Sequence, residues 1–124
     1  MTPFGEFLEQ IRRQRHLQQK QMVDVMGINP CYVSALEKGR KGPPSEKIIN
    51  QLIRNLGLSE VEQAALKRSV KISELTYRLP ANLSKEEFEF MYELRMHLGA
   101  LSHDQLVIMQ KTLKLGEHQF VRSE

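Results

Sequence analysis

Four consecutive residues, Gly27-Ile28-Asn29-Pro30, set the tightest limit on how this chain can fold. Glycine takes positive φ at no steric cost, so Gly27 stops whatever helix precedes it. Asn29 offers a side-chain oxygen that caps a new helix. Pro30 suits the first helical position, where a missing N–H costs nothing. One helix therefore ends and another begins within three residues. A turn that short crosses the two helices steeply and leaves the second protruding, one face packed and the other free.

The flanking segments supply the packing. Thr2-Pro3 opens a helix in which Phe4, Phe7, Leu8 and Ile11 recur at i, i+3, i+4, i+7. Arg12, Arg13 and Arg15 load its last turns, which suits the helix dipole. Gln18 to Met26 forms the next helix, with Met22, Val23 and Met26 on one face. Ile28 is expected as a buried staple between two helices. The capped helix runs to about Lys38, with Val33 and Leu36 inward, and Gly39 ends it. Arg40-Lys41-Gly42-Pro43-Pro44 reads as a loop. Ser45 caps a further helix whose stripe is Ile48, Ile49, Leu52, Ile53 and Leu56, closed by Gly57. The fold class is all-α.

A chain of 124 residues holds one domain, or one small domain with a helical appendage. Charge is uneven along it. Residues 1–58 carry nine Lys/Arg against five Asp/Glu, and residues 59–124 carry nine against ten. A basic front and a near-neutral rear suit a front that meets a polyanion. The single cysteine, Cys31, excludes an intrachain disulfide. No apolar run reaches the roughly 18 residues of a membrane span, and the N-terminus lacks a signal-peptide stretch. A cytoplasmic protein without a membrane partner is expected. The histidines, His16, His97, His103 and His118, are dispersed rather than clustered as zinc ligands are, so neither metal nor cofactor is expected. No nucleophile elbow, phosphate loop or paired catalytic carboxylates appear, which argues against an enzyme.

Phe4–Leu58 resembles the lambda-repressor-like, xenobiotic-response-element type of helix-turn-helix. The resemblance rests on FGEFLEQIRRQRHL, QQKQMVDVMGI, NPCYVSALEKGRKGPP and IINQLIRNLGLS, and covers a little under half of the chain. Two positions depart from the family pattern. Val23 stands where a small residue is usual, and Gln18 stands where Ser or Thr is usual, which makes a poorer cap. The resemblance implies that Asn29 to Ala35 is a recognition helix, with Asn29, Pro30, Cys31, Ser34 and Ala35 facing bases. It implies phosphate contact by Gln19, Lys20, Tyr32, Lys38, Arg40 and Lys41, and a structural clamp between Arg12 and Glu37. For Tyr32, a ring packed on its neighbours is the alternative. For Cys31, a small side chain touching DNA is expected over a redox-sensitive thiol. Of the base-facing residues only Asn29 can form a strong bidentate pair. Pro30, Cys31 and Ala35 can offer apolar surface to thymine methyls, so few direct base bonds are expected.

The rear carries three capping boxes, Ser59-x-x-Glu62, Ser84-x-x-Glu87 and Ser102-x-x-Gln105. The first opens a connecting helix through Val61, Ala65 and Leu66, followed by a linker at 76–83. The other two open a hairpin over 84–116, with a helix stop near Gly116 and a frayed tail from Glu117. Its apolar residues Phe88, Met91, Leu94, Leu98, Leu106, Met109 and Leu113 are expected to carry a dimer interface, because so small a hairpin cannot bury them alone. The expectation is a transcriptional regulator, a repressor or autoregulator, that binds double-stranded DNA at an inverted-repeat operator as a homodimer. The alternative is an antitoxin-like module whose main role is to hold a protein partner.

Overall fold

The computed structural model describes residues 1–74 and 79–122, with side chains as far as residue 116. Its described residues form helices α1 (Pro3–Gln14), α2 (Gln19–Met26), α3 (Pro30–Glu37), α4 (Glu46–Leu56), α5 (Glu60–Ile72), α6 (Lys85–His97) and α7 (His103–Arg122). They divide into two compact units, Met1–Arg78 and Leu79–Glu124.

In the first unit the core gathers one stripe from each helix. Phe4, Leu8 and Ile11 of α1 meet Met22 and Met26 of α2, Val33 and Leu36 of α3, and Ile49 and Leu52 of α4. Phe7, Ile28, Ile48, Ile53 and Leu56 lie half-buried against it. Ile28 is thus a partly covered staple. On α2 the edge residue that packs against the core is Val25; Val23 is half-buried and outside the cluster.

The helix ends follow from the local sequence. Thr2 Oγ1 accepts the Gly5 N–H at 3.0 Å, and Gly27 takes φ 70 to end α2. His16 does the corresponding work after α1, at φ 56. Gln18 precedes α2 as its N-cap and donates its backbone N–H to Gln21 Oε1 at 2.7 Å, the returning half of a capping box. Ser45 precedes α4 without a side-chain cap bond.

α5 is a fifth helix of this unit rather than a connector. It packs along α1, with Leu66 fully buried, while Val61 is exposed. Its buried face continues through Ser69 and Ser73. Ser73 Oγ accepts the Phe4 N–H at 2.8 Å, which satisfies a backbone donor at the start of α1. Arg15 forks onto Glu62 at 3.1 and 3.3 Å, fixing the opposite end of the pair. Ser59 and Glu62 form the expected reciprocal cap, and the hydrogen bonds that Glu62 accepts from Arg15 and from the Ser59 N–H hold its carboxyl below the usual carboxylate range.

The second unit is a helical hairpin. Ser84 with Glu87 and Ser102 with Gln105 cap its two helices reciprocally. The Ser84 N–H depresses the Glu87 carboxyl. α7 does not stop near Gly116 but runs on to Arg122. A glycine inside a helix costs only about 1 kcal/mol against alanine, and Gly116 is not among the positive-φ glycines. Within the expected linker at 76–83, residues 76–78 lie outside the described residues, and 79–83 form no helix or strand. Among the described residues, no helix is long and apolar enough to cross a membrane.

Candidate nucleic-acid interface

α2, the turn at Gly27 and α3 form a helix-turn-helix whose second helix is held from behind. Val33 and Leu36 pin the inner face of α3 to the core. Its far end is fixed by Glu37, only 3% exposed. Arg12 Nε donates to Glu37 Oε2 at 2.8 Å and Arg12 Nη2 to Oε1 at 3.0 Å, while Arg12 Nη1 donates to the Leu17 carbonyl at 2.9 Å. Gln19 Nε2 adds a third donor to Glu37 Oε1 at 3.1 Å. One buried carboxylate therefore ties α1, the start of α2 and the end of α3 into a fixed angle. The hydrogen bond to Glu37 raises the Arg12 pKa further, so the cation persists across the working pH range.

The close approach of α1 and α3 needs glycine at Gly5. A Cβ there would lie 2.5 Å from the Leu36 carbonyl oxygen and 2.9 Å from that of Glu37. Sequence patterning did not single out this residue, because a glycine inside a helix carries no periodic signal.

On the outer side, Asn29, Pro30 and Cys31 are exposed, and Ser34 and Ala35 are half-buried. Asn29 Oδ1 accepts the Tyr32 N–H at 2.8 Å, so its side chain is the cap of α3. The Tyr32 ring packs against the core cluster and is half-buried. Lys20, Lys38, Arg40 and Lys41 are exposed, and none of them forms an ion pair with another described residue. They lie at the start of α2 and after the end of α3, and Lys41 borders the outer side of α3. Gln19 has one amide hydrogen on Glu37 and the other left over. A recess of about 320 Å³ opens beside α3, lined by Asn29, Cys31, Tyr32, Ala35 and Lys41.

In the hairpin, Phe88, Met91, Leu98, Leu106 and Leu113 are exposed, and Leu94 and Met109 are half-buried beside the recess between α6 and α7. None of its described side chains is buried. Among the described residues no group of three or more His, Cys, Asp or Glu converges as metal ligands would.

Residues 3–66 match the model of a helix-turn-helix domain family, which is just over half of the chain. The chain is also similar to RghRB of Bacillus subtilis (strain 168), described as an uncharacterized HTH-type transcriptional regulator. The two are 36% identical over 52 residues, which is 42% of this chain. The match spans 37% of that relative's length. No solved structure matches. With its matched segment covering α1 to α4 and the first half of α5, the chain belongs to the helix-turn-helix domain family.

Proposed function

We propose that this protein is a sequence-specific DNA-binding regulator of transcription, acting as a repressor or autoregulator on an inverted-repeat operator. The observation that carries the proposal is the free face of α3, clamped from behind by Glu37, with four exposed cations on the adjoining segments that have no ion-pair partners among the described residues. A rigid protruding helix fits the major groove, about 12 Å wide, and cations on the adjoining segments meet the phosphates beside it. Asn29, Pro30, Cys31, Ser34 and Ala35 face the bases in this arrangement. Lys20, Lys38, Arg40 and Lys41 contact phosphates, with the spare amide hydrogen of Gln19 and the Tyr32 hydroxyl beside them.

The hairpin supplies the second half of the proposal. A pair of helices with no buried side chain among the described residues has no core of its own, and its apolar residues call for a partner. A second copy is favoured because two hairpins build a four-helix bundle and a two-fold protein matches a two-fold operator. Repression needs no surface beyond DNA occupancy. The same apolar surface is the feature that would favour a protein-holding, antitoxin-like role. Sizing the purified chain and selecting bound duplexes from a random pool tests both. A dimer that enriches inverted repeats, with half-site centres about 10 bp or a multiple apart, supports the regulator. A monomer that enriches no sequence contradicts it.

A further inference from the structure

The oxygen that adenine recognition would need from Asn29 is engaged. Reading adenine bidentately requires the amide oxygen to accept from N6 while the amide nitrogen donates to N7. Asn29 Oδ1 also accepts the Tyr32 N–H at 2.8 Å, so the amide is held as the α3 cap and is not free to turn toward a base. The other outward side chains on α3, Pro30, Cys31, Ser34 and Ala35, include no cation and no second amide. The pairs that single out guanine through Arg or Lys are therefore missing between Asn29 and Ala35.

That face has instead the recess beside α3. Its lining combines Cys31, Ala35 and Tyr32 with the polar Asn29 and Lys41. Lys38 and Arg40 are exposed nearby along the chain. Apolar lining next to cationic side chains complements one feature of the major-groove edge: the methyl group at C5 of a pyrimidine, presented beside the phosphates of its own strand.

On the DNA-binding role proposed above, we infer that the recess reads the C5-methyl group of a pyrimidine. The protein then separates thymine and 5-methylcytosine from uracil and cytosine, and methylation of a cytosine strengthens a site that lacks thymine at that position.

The test uses the full chain and the duplex that selection returns. Each dT is replaced in turn by dU, which removes the methyl and leaves every hydrogen-bonding group in place. Binding weakens about fourfold per methyl read, the worth of one buried methyl-sized group, at one or two positions of each half-site and nowhere else. At those positions a dC·dG pair binds more weakly than the same pair carrying 5-methyl-dC, by a similar factor. Cys31→Ser and Ala35→Ser, both near-isosteric and on the solvent side of α3, each bring the dT/dU ratio closer to one, with unchanged melting as the check on folding. A selected half-site without thymine, equal binding of dT and dU at every position, or a dT/dU ratio untouched by both variants overturns the inference. In those cases a loss of affinity in Lys41→Ala shows that the DNA-binding role still stands. A chain that enriches no duplex at all removes that role, and the methyl readout with it.

Discussion

Removing the Glu37 carboxylate tests how α3 is held. In Glu37→Ala, the guanidinium of Arg12 loses both of its bonds to the carboxylate and Gln19 loses its acceptor. The Arg12 side chain is only 12% exposed, so water restores little of the loss. Breaking a buried ion pair from one side costs about 3–5 kcal/mol, because the surviving charge is left uncompensated. The lower end applies here, since the Leu17 carbonyl still accepts from Arg12. A loss of about 3 kcal/mol is a large share of the 5–15 kcal/mol that stabilises a typical domain. It lowers the melting temperature by more than about 10 °C in a unit of this size. Urea unfolding of the single variants and of Arg12→Met/Glu37→Leu completes the test. The apolar pair recovers most of the stability, because the cost lies in the orphaned charge rather than in the lost attraction. A Glu37→Ala loss below about 1 kcal/mol would put the pair in the class of surface ion pairs and refute the clamp.

Replacing Arg40 and Lys41 by Ala weakens binding to all sequences alike and reduces the slope of log affinity against log salt by up to about two; an unchanged slope removes the loop from the interface. Gly39→Ala destabilises by more than the roughly 1–2 kcal/mol of a left-handed alanine, since at φ 75 its Cβ would also lie 2.8 Å from Met1 Cα; thermal melting reads the loss, and a neutral substitution contradicts the packing. The Glu62 carboxyl, depressed in the folded state by Arg15 and the Ser59 N–H, contributes stability that is present above its unfolded pKa and lost as pH falls through the folded value. Glu62→Gln is accordingly less stable than the parent at neutral pH, and the two converge in acid; parallel melting curves at both pH values would dismiss the bond. Deleting residues 79–124 leaves a folded monomer that binds its operator more weakly by orders of magnitude, because the linked gain from a second half-site is lost; a truncated chain still dimeric by sizing places the interface in the first unit.

The front of the fold was legible because its punctuation is chemical. Thr2, Gly27, Asn29 with Pro30, Gly39 and Gly57 each mark an end that the backbone requires, and the stripes between them follow the helical period. The role of α5 was hidden by its own composition. Its buried face runs through Leu66, Ser69, Val70 and Ser73, at the right spacing, but two of the four are serines. An apolar count passes over them, although Ser69 Oγ donates to the Leu66 carbonyl and Ser73 Oγ accepts from Phe4, so both are satisfied where they sit. The sequence reading puts Val23 on the α2 stripe, whereas tertiary packing brings Val25 against the core. The stop at Gly116 failed for a different reason: glycine ends a helix when the chain uses its positive φ, and here it does not. At the candidate site, the short glycine turn implied a protruding α3, and the family resemblance, not spacing, implied which of its residues face outward. The sequence also named Asn29 both as cap and as base reader, and only the 2.8 Å bond to Tyr32 shows where its oxygen is spent.

The central claim is that α3 reads DNA sequence. Its most direct measurement is the affinity of the full chain for its selected duplex and for a shuffled duplex of the same composition, in one buffer at physiological salt. Specific binding at least about a thousandfold tighter than the shuffled control, at least tenfold of it lost in an Ala35→Asp chain that melts like the parent, is the predicted result. Equal affinity for the two duplexes, or a preference that survives a charge placed on the outer face of α3, would contradict it.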